Sequence, residues 1–170
     1  MVKVREMTRA DDEQTPLSVR SFNLSETLEK LLRLTVIPAD KHVRFETRLT
    51  PDPLWITADP VHLTNSISNL VENAIKYSGN EVCIRISASL AEGKLVIQVS
   101  DNGFCISSQD QLHIFDKFYR SEQMVGHGLP GIGLGLSYVK LMVEAHGGTV
   151  DVESILGKGS VFTLEIPQLK

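Results

Sequence analysis

Asn65-Ser66-Ile67-Ser68-Asn69-Leu70-Val71-Glu72-Asn73-Ala74-Ile75-Lys76-Tyr77-Ser78 has the period of a helix and a polar face of unusual composition. At about 100° of rotation per residue, Leu63, Ile67, Leu70, Val71 and Ala74 fall on one wide apolar stripe that must face a core. Asp59 is placed to cap this helix and Pro60 to open it, where the missing N–H costs nothing. The opposite stripe is Asn65, Asn69, Glu72, Asn73 and Lys76. Asparagine prefers caps and turns to helix interiors, so three on one face call for a reason other than propensity. A solvated surface face is one reading, although such faces are usually written with Glu, Lys and Arg. Uncharged carbonyl oxygens in register with a lysine also suit a hard cation and a polyphosphate.

Upstream, Met1 to roughly Phe22 is polar, mixed in charge and interrupted by Pro16, and reads as a linker or the remnant of a preceding helix. Asn23 and Glu26 have the form of a capping box, and Leu24, Leu28, Leu31 and Leu32 predict an amphipathic helix that Pro38 ends. His42 to Leu49 alternates strictly, which predicts a half-buried strand; Pro51 and Pro53 break it, and Trp55-Ile56 form a short strand.

Downstream, Val82, Ile84, Ile86 and Ala88 alternate, Gly93 turns the chain, and Leu95, Ile97 and Val99 alternate again, which predicts a hairpin. The hairpin runs into Asp101-Asn102-Gly103. A short helix is predicted from Ser108 to about Phe118, and Tyr119 to Pro130 reads as a mobile loop. Gly131-Ile132-Gly133-Leu134-Gly135-Leu136 opens a helix to His146 that Gly147-Gly148 close. Two strands, Thr149 to Ile155 and Ser160 to Pro167, complete the chain. Half-buried alternation and mainly antiparallel neighbours predict an α+β fold, a two-layer sandwich with helices on one face of a mixed sheet.

The composition, 42% hydrophobic and 22% charged over 170 residues, is that of a globular domain able to bury a sizeable core. A net charge of −4 argues against nucleic acid as a partner, because phosphate backbones need a basic face. The sequence has no apolar run long enough to span a bilayer and no signal peptide, so a cytoplasmic setting is expected and insertion in a membrane is not. Two cysteines, Cys83 and Cys105, make no disulfide framework. The five histidines are scattered without ligand spacing. Asp101 at a strand end is compatible with a simple turn cap. The glycines before Leu136 are compatible with close helix packing, yet glycines at a helix start also expose N–H groups where the dipole favours anions.

Taken together, these segments resemble, from about Asn23 to Leu169, the catalytic ATP-binding domain of sensor histidine kinases, in the superfamily shared with gyrase, heat-shock chaperone and mismatch-repair ATPases. Asn69 to Ser78 resembles the N box, Asp101-Asn102-Gly103 the first glycine box, Phe115 to Arg120 the F box, and Gly131 to Leu136 the second glycine box. Gly157-Lys158-Gly159-Ser160-Val161-Phe162 resembles the closing strand motif. The resemblance implies ATP and Mg²⁺ as cofactors, with residues 1–22 a linker or the remnant of a preceding dimerisation helix and residues 23–170 the catalytic domain. It implies that Asn73 holds the metal with Asn69 beside it, that Lys76 and Arg120 meet the phosphates, and that Tyr77 packs on adenine. By the same resemblance, Asp101 would accept a hydrogen bond from the adenine amine, Gly103 would let the backbone approach the base, and Ile106 would contact the nucleotide. Gly131, Gly133, Leu134, Gly135 and Leu136 form the phosphate-facing loop. Asn69, Lys76 and Arg120 are the implied catalytic residues.

The implied partners are the protein's own dimerisation domain, which would carry the phosphoacceptor histidine, and a response regulator downstream; the isolated domain is expected to be monomeric. Two departures stand out. Cys105 occupies the second glycine of the first glycine box, which puts a side chain beside the adenine pocket and removes easy access to positive φ. No helix carries the family's phosphoacceptor histidine. Two further readings follow: a degenerate nucleotide-binding module for protein interaction, suggested by Cys105, and a hydrolytic ATPase. Against the latter, the resemblance places a water-activating glutamate where Asn69 stands.

Overall fold

The computed structural model describes residues 15–168. Its elements are β1 (Arg20–Asn23), α1 (Leu24–Leu34), β2 (His42–Thr50), β3 (Trp55–Ala58), α2 (Pro60–Lys76), β4 (Glu81–Ala91), β5 (Lys94–Asp101), α3 (Ser108–Gln111), α4 (Glu122–Gly126), α5 (Gly135–Ala145), β6 (Thr149–Ile155) and β7 (Gly159–Pro167). Five strands form one sheet in the order β2-β4-β5-β7-β6. β2 runs parallel to β4, and the β4–β5, β5–β7 and β7–β6 pairs are antiparallel. The expected two-layer arrangement is present, with α2 and α5 packed together and against the sheet.

The α2 stripe decides which way that helix faces. Leu63, Ile67, Leu70, Val71 and Ala74 are all buried, against Val82, Ile84, Ile86 and Ala88 of β4, Leu95, Ile97 and Val99 of β5, and Leu164 and Ile166 of β7 in one continuous core. Each such side chain contributes roughly 1.5–3 kcal/mol on burial, so rotating the helix by one residue would be prohibitive. Asp59 caps α2 as the sequence predicts, its Oδ1 accepting the N–H groups of Val61 at 2.9 Å and His62 at 3.1 Å. The second oxygen accepts from Ser18 N at 2.7 Å. The far end of α5 returns to the same point. Asp59 N donates to His146 Nε2 at 3.0 Å, and the other ring nitrogen lies 2.6 Å from Met142 O. This pairing assigns the proton to Nδ1. His146, given no role by spacing, thus ties α5 to the cap of α2.

Three expectations about boundaries differ from the structure. Arg20–Asn23 is a strand paired antiparallel with β3, its first three residues within the stretch 1–22 read as linker; most of that stretch, residues 1–14, lies outside the described residues. Four residues with no alternation carry no strand signal of their own, and β1 is set by its partner. The helix expected from Ser108 to Phe118 stops at Gln111. Asp110 gathers the hydroxyls of Ser107 at 2.6 Å and Tyr119 at 2.5 Å, folding the segment back on itself, and Phe118 takes a φ of 64° that no helix continues through. Within the loop expected from Tyr119 to Pro130, Glu122–Gly126 form α4, whose cap is Ser121, with Oγ 3.3 Å from Met124 N.

Candidate functional site

A cleft of about 360 Å³ opens between the outer half of α2, the end of β5, and the segment from Tyr119 to Leu136. This size suits a small-molecule site. α2 contributes Asn69, Asn73 and Lys76, and Tyr77 follows at its C-cap. Asn69 is buried at 5% exposure and packs against the start of α5, where a Cβ placed on Gly135 would lie 3.6 Å from Asn69 Oδ1. Asn65, read on the same polar stripe, does not reach the cleft. It lies about one turn nearer the helix start and, with Thr64 and Ser68, lines a separate groove against α1.

At the opposite wall Asp101 ends β5. Burial raises the pKa of its carboxyl, and the backbone N–H groups of Gly103 and Ser160 pull it only part of the way back. Gly103 N donates to Asp101 Oδ1 at 2.8 Å, and Phe104 N donates to Tyr77 O at 2.8 Å. Gly103 is required by close approach: a Cβ there would sit 2.5 Å from Tyr77 O and 2.9 Å from Asp101 Oδ1. Ile106 lines the cleft and is held by its N–H to Ser154 Oγ at 2.8 Å.

Cys105 departs from the expectation. Phe104 and Ile106 on either side line the cleft and Cys105 does not; its Sγ lies 3.5 Å from Ile106 O. Only Glu92 and Phe118 among the described non-glycine residues have positive φ, so the chain passes position 105 in a conformation open to any L-residue. The side chain expected beside the pocket points elsewhere.

The remaining wall carries the second glycine loop. Gly131, Gly133, Leu134, Gly135 and Leu136 all line the cleft. Gly131 leaves room for Lys76, since a Cβ there would come 2.5 Å from Lys76 Nζ. Gly133, at φ 76°, is required twice over, because a Cβ would also meet Tyr119 O at 2.7 Å. The first turn of α5 has no side-chain cap, and its Gly135 and Leu136 line the cleft, which brings the positive end of the helix dipole to the cleft wall. Lys76 Nζ stands 5.0 Å from the centre of the Tyr77 ring. Arg120 hydrogen-bonds Leu129 O through Nη2, while its Nε is buried with no hydrogen-bond partner. Such a group is poised for an acceptor. The cleft therefore brings a partly desolvated carboxylate, an uncapped helix N-terminus and two cations together on its walls.

Every residue expected at the site except Gly103 lines the cleft, and Gly103 packs against Tyr77 and Asp101, which do. Sequence reasoning missed several wall residues: Phe104, Ser121, Met124, Ile132, Tyr138, Ser160 and Phe162. Ser160 and Phe162 were legible as inward positions of an alternating strand. Ile132 lies inside the second glycine box but carries no expected contact there, and Met124 sits in a segment without period and gave no signal. The Phe104 and His127 rings stack 5.4 Å apart at 15°, so the end of α4 is joined to the first glycine box. Among the described residues no cluster of three His, Cys, Asp or Glu side chains has metal-binding geometry.

A family profile described as histidine kinase-, DNA gyrase B- and HSP90-like ATPase matches residues 58–170. The sensor protein RprX of Bacteroides fragilis is 32% identical over 99% of this chain and 33% of its own length. The sensor histidine kinase WalK of Bacillus subtilis is 38% identical over 75% of this chain and 21% of its own. The chain thus spans a third or less of these relatives. Among solved structures, full-length ShkA in complex with AMPPNP superposes with a TM-score of 0.85 at 24% identity, over 99% of this chain and 35% of ShkA. Fold, cleft and sequence agree: the chain belongs to the family of histidine kinase-, DNA gyrase B- and HSP90-like ATPases.

Proposed function

We propose that this chain is the catalytic domain of a sensor histidine kinase, which binds ATP in the cleft and presents its γ-phosphate to a histidine on a dimerisation domain. The observation that carries the reading is the polarity of the cleft. Asp101 is a half-buried acceptor suited to an amine donor such as that of adenine, and Lys76, Arg120 and the α5 N-terminus suit the phosphates. Tyr77 offers its ring to the base. Asn69 and Asn73 bring neutral oxygens to the stretch between, a donor set that fits Mg²⁺ when phosphates and water complete the shell. Bound there, Mg²⁺ would neutralise phosphate charge during transfer.

The chain's own residues bind and orient. Phosphoryl transfer depends mostly on position and on charge stabilisation, and Lys76 and Arg120 supply cationic donors. The nucleophile comes from outside. Asn69 is an amide and accepts no proton from water, which counts against a hydrolytic ATPase; Cys105 does not line the cleft, which counts against a degenerate site. Residues preceding β1 lead to the dimerisation domain, and a response regulator receives the phosphoryl group afterwards. Among the described residues no helix is long and apolar enough to cross a membrane.

The test is transfer of radiolabelled γ-phosphate. The purified chain is expected to bind ATP, to hydrolyse it very slowly, not to label itself, and to label its dimerisation domain added in trans. Robust turnover by the chain alone would support the hydrolytic reading; tight binding without transfer would support the degenerate one.

A further inference from the structure

The turn Ile75–Ser78 ends α2 and carries two cleft side chains, Lys76 and Tyr77, so its placement sets where a cation and a ring stand. Helices commonly end on a left-handed glycine that satisfies the last carbonyls, as α5 does with Gly147 at φ 74°. α2 does not end that way. Tyr77 is its C-cap, with φ −97° and ψ 44°, and Gly79 is not among the glycines with positive φ.

The ammonium of Lys41 takes the place of that motif. Lys41 lies just before β2, yet its Nζ donates to Ile75 O at 2.5 Å, to Ser78 O at 2.9 Å and to Ser78 Oγ at 3.2 Å. Ser78 is buried and its Oγ donates in turn to Ile75 O at 2.7 Å. A cation at this end also meets the negative pole of the helix dipole, and hydrogen bonds from an ionised donor are the strong ones. From the other side Tyr77 O accepts the N–H of Phe104 at 2.8 Å. The turn is thus held between Lys41 and the first glycine box, with Lys76 and Tyr77 projecting into the cleft from the held segment.

We infer that Lys41 is a positioning residue of the nucleotide site: by holding the C-terminal turn of α2 it fixes Lys76 and Tyr77 against the phosphates and base. This rests on the ATP reading above. Lys41 does not line the cleft and acts through the turn alone. Groups that orient metal ligands alter affinity by roughly 10–100-fold when removed, and the lower end of that range is the scale expected for a group that orients a cation and a ring.

The experiment is calorimetric titration of AMPPNP with Mg²⁺ into the wild-type chain, Lys41→Met, Lys41→Arg, and Val152→Ala as a control for lost stability far from the turn. Folding of each is checked by circular dichroism, and stability by urea. Lys41→Met is expected to weaken AMPPNP about tenfold, Lys41→Arg to recover most of that loss, and Val152→Ala to bind as wild type at comparable stability. If Lys41→Met fails to fold, Lys41→Gln, a shorter neutral donor, is read in the same way. A folded Lys41→Met or Lys41→Gln that binds AMPPNP as wild type does, however destabilised, overturns the inference and leaves Lys41 a structural cap. A wild-type chain that binds no AMPPNP overturns the nucleotide reading and this inference with it.

Discussion

Replacing Asp101 with asparagine separates base reading from folding. In the wild type, Asp101 accepts the N–H of Gly103 at 2.8 Å and that of Ser160, and an adenine amine would add a donor to a carboxylate already short of water. A hydrogen bond to a charged group contributes about 1.5–3 kcal/mol, which is roughly a 10- to 150-fold change in affinity. Asparagine keeps one oxygen for Gly103 but turns an N–H₂ toward the remaining donors, so Asp101→Asn should lose ATP affinity within that range. Guanine presents an oxygen where adenine has its amine. GTP should therefore bind the wild type at least as weakly as ATP binds the variant, and the variant should bind GTP better relative to ATP. Competition titrations of both nucleotides on both proteins measure the ratio. A folded variant that weakens ATP and GTP equally would refute base reading by Asp101.

The same substitution has a defined sign in stability. The folded-state pKa of Asp101 is raised by burial, so the folded state prefers the protonated form. That contribution is fully present below the unfolded pKa and is lost as pH rises through the folded pKa. Stability of the nucleotide-free wild type should accordingly carry a component that falls across this interval and is missing from Asp101→Asn. Urea denaturation across the acidic range measures it.

Further outcomes follow from the rest of the site. Asn73→Ala should abolish the Mg²⁺-dependent part of ATP binding while leaving the fold intact, because Asn73 lies off the buried stripe; unchanged affinity with and without Mg²⁺ would remove it from the metal site. Asp59→Ala should cost about 2 kcal/mol in urea denaturation, since the cap of α2 and the Ser18 contact go together. Burial acts to raise the Asp59 pKa, but backbone donors from His62, Ser18 and Val61, with the charge of His62, lower it on balance. Its contribution is thus present above the unfolded pKa and lost as pH falls through the folded one, and an unaltered acid limb in Asp59→Ala would contradict this. Hydrogen exchange in Glu122–Gly126 should slow when ATP engages Arg120 and the glycine loop; equal protection with and without ATP would count against α4 as part of a lid.

The parts legible in the sequence are those whose causes are local. The stripe of α2, its Asp59-Pro60 start, and the alternation of β4, β5 and β7 each follow from neighbours a few residues apart, and they place the α2 and β5 walls of the cleft. What stayed hidden depends on distant partners. β1 exists through its register with β3, and Lys41 reaches the end of α2 across 34 residues of chain. The polar stripe was legible as a stripe but not as two, because α1 and the glycine loop divide it between groove and cleft. That Cys105 stays off the cleft wall was likewise hidden, because sequence alone does not say which residues of the stretch after β5 line a cavity.

Asn69 shows why this site would hold ATP without using water. It is buried at 5% exposure beside the first turn of α5, where unpaired N–H groups favour an anion. A carboxylate at that position would occupy the same field and repel the phosphates drawn to it. A neutral amide leaves the helix terminus to the phosphates and still offers a hard oxygen. The exchange removes the proton acceptor that water attack needs, since an amide is no base near neutral pH. With Lys76 and Arg120 as cationic donors on the same cleft, the chain would, in the proposed function, supply charge and orientation for phosphoryl transfer and leave the nucleophile to a second domain. On that proposal, a site of this composition would retain its nucleotide until a second domain brought the attacking atom into line.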